Sequence, residues 1–222
     1  LAQYSCSICE DEKYIYDATK GWVRCVCLEK EKFNRKLIEA GICFPKDDLT
    51  VVGLASKFPH TKIDQKVIDF STLVKNRLMA GEKPDKIVCF QGQSNGCKDL
   101  VVQTALLGAV EGGMTVNQCS MEQLISNHFQ GGEISLQDEF KKADIMCLSF
   151  GSELQFNVSG NFLQSLVRLN WLIPEHYLFL HTNLRWDDIA YKYGDAVLKL
   201  FVKSDGKILD PERRIVFSCV EE

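Results

Sequence analysis

The chain has 222 residues, 45% of them apolar and 25% charged, enough for one α/β domain with a sizeable core and a small appendage. Its net charge of −4 argues against a basic nucleic-acid protein, which needs clustered Lys and Arg to neutralise phosphates. No run approaches the roughly 18 apolar residues of a membrane helix, so no membrane partner is expected.

The first residues, LAQYSCSICEDE, carry neither an initiator Met nor a basic-then-apolar secretory pattern. Ten cysteines without an export signal fit a reducing compartment, and a cytoplasmic location is expected. Four of them form the pattern Cys6-x-x-Cys9, fifteen intervening residues, then Cys25-x-Cys27. Zinc takes four soft ligands in a tetrahedron, and a short CxxC knuckle supplies two from one tight turn. Between the pairs, KYIYDATKGWVRC alternates apolar and polar residues around a Thr-Lys-Gly turn, which predicts a β-hairpin returning the second pair to the first. A fold of roughly 30 residues cannot build its own core, so metal binding would supply much of its folding free energy. Four Cys leave no open coordination position for water, so the expected Zn2+ is structural. Four unrelated reduced thiols are the alternative. The other six (Cys43, Cys89, Cys97, Cys119, Cys147, Cys219) lie among apolar neighbours and read as buried free thiols.

Next, LEKEKFNRKLIEAGI has Phe33, Leu37 and Ile38 at helical spacing and stops at Gly41. Its Lys30, Lys32, Arg35 and Lys36 form the densest basic stretch, read as a solvated helix face. The zinc module with this helix is assigned to 1–45. An irregular linker follows over 46–64, and a larger domain over 65–222. A helix from about Lys66 to Met79 opens that domain, with Val67, Phe70, Leu73, Val74 and Leu78 on one face.

Short apolar runs then alternate with helical patterns, the signature of a parallel α/β sheet. KIVCFQG, MTVNQCS, ADIMCLSFG, HYLFLHTN and IVFSC read as strands. DLVVQTALLGAVEGG, MEQLISNHF, LQDEFKKA, NFLQSLVRLNWL and WDDIAYKYGDAVLKLF read as helices.

The first strand–loop–helix junction carries Gly92, Gly96, Cys97, Lys98 and Asp99. A phosphate-binding P-loop has Gly-x-x-x-x-Gly-Lys-Ser/Thr there: backbone N–H groups wrap the phosphates, Lys reaches the β/γ-phosphates and the hydroxyl ligates Mg2+. Gly92 and Lys98 keep the spacing, while Cys97 replaces the last Gly and Asp99 the hydroxyl residue. A Cβ at Cys97 crowds the approach of backbone to phosphate. Asp99 places a carboxylate at a helix N-terminus that otherwise attracts anions, though it could still ligate Mg2+. An ordinary strand-to-helix turn explains the loop equally well.

With its surroundings, the chain resembles the bacterial and phage replicative-helicase loaders, the DnaC/DnaI-like branch of the AAA+ ATPases. The likeness runs through the Cys-rich start, the helix ending in Ala40-Gly41-Ile42, the P-loop position, ADIMCLSFG, HTNLRWDDI and YGDAVLKL. It implies a parallel-sheet AAA+ domain behind a zinc module that binds a hexameric replicative helicase. It also implies an ATP and Mg2+ site at Gly92, Gly96, Lys98 and Asp99, with Asn183 at the sensor position. The departures share a direction. Ser149 and Phe150 stand where the family has two acids that hold Mg2+ and polarise water. Ala196 stands at the arginine-finger position and Lys199 near a second arginine; Lys lacks the bidentate fork. An arginine finger alone is worth roughly 10³–10⁵ in rate, so a pseudo-ATPase with no catalytic residues is expected. Asp144 could substitute as an acid only from the far end of its strand.

Two further readings stand beside this one. In the first, the protein is an active loader ATPase with a variant P-loop, Asp99 serving Mg2+ and a self-associated partner supplying arginine. In the second, it is a single-stranded DNA module using Trp22, Trp171 and Trp186. Against the second, Trp22 is expected to pack on the zinc hairpin, Trp171 to end an apolar helix face and Trp186 to start a helix. The four His (His60, His128, His176, His181) form no local nucleophile pair, so hydrolase chemistry is not expected.

Overall fold

The computed structural model describes residues 5–43, 65–83, 87–91, 97–130, 136–153, 156–199 and 214–218. The chain divides into two compact units, Leu1–Glu39 and Ala40–Glu222. The expected linker at 46–64, the loop at 92–96, His60 and Cys219 lie outside the described residues.

The first unit contains the expected hairpin, β1 (Tyr14–Asp17) and β2 (Gly21–Arg24), followed by helix α1 (Val26–Glu39). The strands pair antiparallel, with Tyr14 opposite Arg24 and Tyr16 opposite Trp22. The Asp17 carboxylate accepts hydrogen bonds from the Thr19 and Lys20 backbone N–H groups at 2.8 and 2.9 Å, and Gly21 supplies the positive φ of 74° that leaves the turn. Trp22 meets Tyr16 edge-to-face on the hairpin, with ring centroids 5.7 Å apart, but is otherwise uncovered. It is 69% exposed, because strand alternation puts it on the face opposite Ile15 and Val23.

The larger unit runs α2 (Gln65–Met79), β3 (Ile87–Gln91), α3 (Cys97–Glu111), β4 (Val116–Ser120), α4 (Met121–Gln130), α5 (Leu136–Phe140), β5 (Ile145–Phe150), α6 (Phe156–Leu172), β6 (Tyr177–Thr182), α7 (Trp186–Tyr193), α8 (Asp195–Leu198) and β7 (Arg214–Ser218). All pairings are parallel, in the order β4-β5-β6-β3-β7. Counted within this sheet, the order is 2-3-4-1-5, so the fourth strand, β6, is central and the first lies between it and the edge strand β7. The inner strands are almost continuously apolar because both faces are covered. On one face Ile87, Cys89, Met146, Leu148, Phe150, Leu178 and Leu180 join a core with Met121, Leu163, Leu166 and Ile189. The alternate residues Val88, Phe90, Ile145, Cys147 and Phe179 are also buried, and α3 lies against β3 and β4.

Helix α3 is apolar all round because α2 covers its outer side. Gly108 and Gly112 let the two helices touch: a Cβ at Gly108 would lie 2.3 Å from the Lys75 carbonyl oxygen, and one at Gly112 2.0 Å from that of Leu78.

Three expectations are corrected. Leu73 is 53% exposed while Val74 and Leu78 are buried, so the buried face of α2 is narrower than its apolar pattern. The stretch from Trp186 is not one helix, since Gly194 at φ 85° ends α7 and α8 starts anew. Cys43 is exposed, with its thiol donating to the Gly41 carbonyl at 3.3 Å, whereas Cys89 and Cys147 are buried as expected. Among the described residues, no helix is long and apolar enough to cross a membrane.

Candidate metal centre and nucleotide edge

Cys6 and Cys9 lie in the turns before β1, Cys25 at the exit of β2 and Cys27 in the first turn of α1. The hairpin closes the gap between the pairs: Cys25 N–H donates to the Lys13 carbonyl at 2.8 Å, and Leu28 N–H to the Cys25 carbonyl at 3.0 Å. This strand-to-helix corner is why two cysteines separated by one residue can both face the first pair. The four sulfurs lie within 4.8 Å of one another, with Cys6–Cys25 at 3.8 Å and Cys9–Cys27 at 3.4 Å. A tetrahedron with metal–sulfur bonds near 2.3 Å has edges of about 3.8 Å, so this cluster can hold a metal ion.

The thiols have different environments. Backbone N–H groups of Cys9 and Ile8 pull Cys6 down to about 7, while burial and the neighbouring sulfurs push Cys27 up to about 12. Four converging thiols resist joint ionisation without a cation, and a divalent metal removes that conflict.

Asp11 was not foreseen from the sequence. Its carboxylate accepts from Ser5 Oγ at 2.6 Å, Ser5 N–H at 3.1 Å and Cys6 N–H at 2.9 Å, and these bonds hold its carboxyl below the usual range. It thereby fixes the backbone that presents Cys6. The readable signal was a short acid just past a knuckle, where Asp side chains bond nearby N–H groups.

In the larger unit, polar candidates gather at the carboxyl ends of the strands, where open α/β sheets bind ligands. Ser120, Ser149 and His181 stand in register across β4, β5 and β6. Asp99, exposed in the first turn of α3, approaches His181, with Oδ1 3.8 Å from Nδ1. Lys98 lies beside it in α3, Asn183 is exposed just past β6, and Gly92 and Gly96 lie outside the described residues. Phe150 is 4% exposed in the core, edge-to-face with Tyr193 at 5.7 Å. Ala196 and Lys199 are exposed on and after α8. Asp144 lies at the opposite end of the sheet as expected, its carboxylate accepting from Thr115 N–H and Oγ1 at 2.7 Å.

A buried acid near this edge also escaped notice. Glu153 is 4% exposed, and its Oε2 accepts from Gly151 N–H and Tyr193 Oη, each at 2.6 Å. Burial and this carboxylate together push the Tyr193 phenol well above its ordinary value. Gly151 must be Gly here, with φ 116° and Leu184 and Thr182 side-chain atoms 2.9 Å from any Cβ. Glu153 thus ties the end of β5 to α7. Three residues beyond Phe150, it gave no positional signal in the sequence.

No protein-family model matches the sequence, and no curated protein matches it. Solved structures do. The chain is similar to AMPPCP-bound DnaA from Aquifex aeolicus, at 16% identity and TM-score 0.53 over 79% of this chain and 51% of that one. It is similar also to the replication initiator DnaA bound to AMPPCP and single-stranded DNA, at 14% identity and TM-score 0.53 over 79% and 51%. For the DnaC helicase loader the identity is 13% and the TM-score 0.52, over 74% of this chain and 95% of that one. The chain therefore spans about half the length of the DnaA chains it matches. What these matches establish, together with the strand order, is that the protein has the AAA+ fold of DnaA and the DnaC helicase loader.

Proposed function

We propose that this protein is a DNA-replication accessory of the helicase-loader type, binding a hexameric replicative helicase through a zinc-loaded module and no longer hydrolysing ATP. The carrying observation is the carboxyl end of β5. On the resemblance to helicase loaders, Ser149 and Phe150 stand where that family has two metal-binding acids, and Phe150 is turned into the core. The nearby acid, Glu153, is held by Gly151 and Tyr193. Loss of the metal acids, arginine finger and P-loop hydroxyl removes the groups that stabilise charge during phosphoryl transfer. Zinc suits the tetrahedral all-sulfur donor set. Gly92, Gly96, Lys98, Asp99 and Asn183 are the residues that would hold a nucleotide without turning it over.

ATP turnover by the zinc-loaded protein is expected to equal that of Lys98→Ala. A rate well above that control would establish the competing reading, an active ATPase that uses Asp99. The approach of Asp99 to His181 is what favours that reading. A rise in melting temperature with ATP and Mg2+ but no turnover would show that binding alone survives.

The helicase contact is proposed for the knuckle side of the module. There Ile8 and Val26 are 60% and 67% exposed and line a shallow cleft of about 410 Å³ with Ser5, Ser7 and Lys30. Capture of a hexameric replicative helicase should be abolished by Ile8→Glu with Val26→Glu, and by chelation. Capture that survives both would remove the module from the mechanism.

A further inference from the structure

The hairpin's outer face is largely exposed, and its composition is specific. Cross-strand neighbours Tyr16 and Trp22 are 68% and 69% exposed, and Tyr14 is 46% exposed. Tyr16 and Trp22 meet edge-to-face with ring centroids 5.7 Å apart. Exposed Arg24 stands opposite Tyr14 in the register. Alternation sends the aliphatic residues Ile15 and Val23 to the other side, where they are half-buried. The outer face is therefore three rings and a guanidinium.

Its electrostatics point in one direction. Asp17, the only acid in either strand, faces the other way and is occupied by its own turn's N–H groups. Glu31 is paired with Lys13, and Glu29 with Lys32 at 3.3 Å. Among the described residues, Arg24 and turn residue Lys20, also exposed, take part in no ion pair. Exposed rings beside exposed cations complement bases strung on phosphates, because every base offers a π-face and every link a negative charge. The aliphatic side chains suited to a protein groove, Ile8 and Val26, lie instead by the knuckles.

We propose that the outer face of the β1–β2 hairpin binds single-stranded nucleic acid, with Tyr14, Tyr16 and Trp22 stacking on bases and Lys20 and Arg24 contacting phosphates. The net charge of −4 does not oppose this, since the contact needs a local face and salt screens distant charges beyond about 10 Å at 0.1 M. The assignment is independent of the helicase reading, which uses different residues of the same module.

The test is fluorescence anisotropy of a labelled oligothymidylate titrated with the zinc-loaded full chain at several salt concentrations. Saturable binding is expected, with a duplex competing at least tenfold less well. Tyr16→Ala and Trp22→Ala should each weaken binding about tenfold, while Trp22→Phe, which keeps a ring, should retain most of it. Lys20→Ala and Arg24→Ala should each lower the slope of log affinity against log salt by about 0.7. Bound zinc, measured for each variant, shows that the module is intact. Where an aromatic variant loses its zinc, Lys20→Glu with Arg24→Glu, which leaves the rings in place, must still abolish binding. Unchanged affinity in zinc-loaded Tyr16→Ala/Trp22→Ala overturns the proposal. So does an absence of oligonucleotide binding in a protein whose hairpin variants lose helicase capture, which would make this face a protein interface.

Discussion

Stripping zinc from the protein should unfold Leu1–Glu39 and leave the α/β unit folded. Among the described residues of the first unit, only Cys9 and Cys25 are buried, at 6% and 0% exposure, and α1 buries no side chain. The described residues form no apolar core to survive metal loss, so the four sulfurs, with an ion bound, would serve as the core. Structural zinc in zinc-finger peptides contributes roughly 10–16 kcal/mol at pH 7, more than half-buried Ile15, Val23 and Phe33 can replace. Amide exchange read across β1 and β2 should show protection lost on chelation and in Cys25→Ser, with exchange in β3, β5 and β6 unchanged. Hairpin amides still protected in metal-free protein would show that the fold stands without the ion. The pH dependence has a fixed sign. The ligands bind as thiolates, so protons compete with the metal and occupancy falls as pH falls.

The second large effect is expected at the α2–α3 contact. Gly108→Ala would set a Cβ 2.3 Å from the Lys75 carbonyl oxygen and 2.7 Å from its Cα. These are backbone atoms, so no rotamer change relieves the clash and the helices must separate. α2 resists this because Ser71, Val74 and Leu78 are buried and Ser71 Oγ donates to the Val101 carbonyl at 3.1 Å. Overpacking of this kind costs about 3 kcal/mol, a fall in melting temperature of roughly 10 °C for a unit this size. Gly160→Ala in α6 is the matched control. Its Cβ would meet nothing nearer than 3.4 Å, and Ala is favoured over Gly in a helix by about 1 kcal/mol. Thermal melts should therefore move in opposite directions for the two variants. Equal shifts would mean that helix propensity, not helix contact, governs Gly108.

Much of the architecture was legible along the chain. Continuous apolar runs such as Ile145–Leu148 marked strands covered on both faces, and the helices between them implied parallel pairing. The convergence of the four cysteines was legible because a Cys-x-x-Cys knuckle followed by a hairpin and a second pair is the spacing that a tetrahedral metal site requires. The misreadings had local causes. Leu73 has the periodicity of a core residue, but periodicity cannot state how wide a stripe the neighbouring helix covers. Gly194 sits inside an otherwise helical pattern, and its φ of 85° is set by the corner between α7 and α8. Trp22 was expected to pack on the hairpin, and strand parity put it on the exposed face, where Tyr16 is its ring contact.

The sequence by itself determined the cysteine cluster, the hairpin, the alternation of strands and helices, and the absence of acids at Ser149 and Phe150. These follow from residue identity and spacing over a few positions. Only the tertiary structure decided that the described residues of the first unit bury nothing but two cysteines, that Glu153 is locked to Tyr193 and that Gly108 is a helix contact. It alone exposed the Tyr16–Trp22 face, too. Burial and contact depend on what the rest of the chain brings alongside a residue, and spacing along one segment does not carry that information.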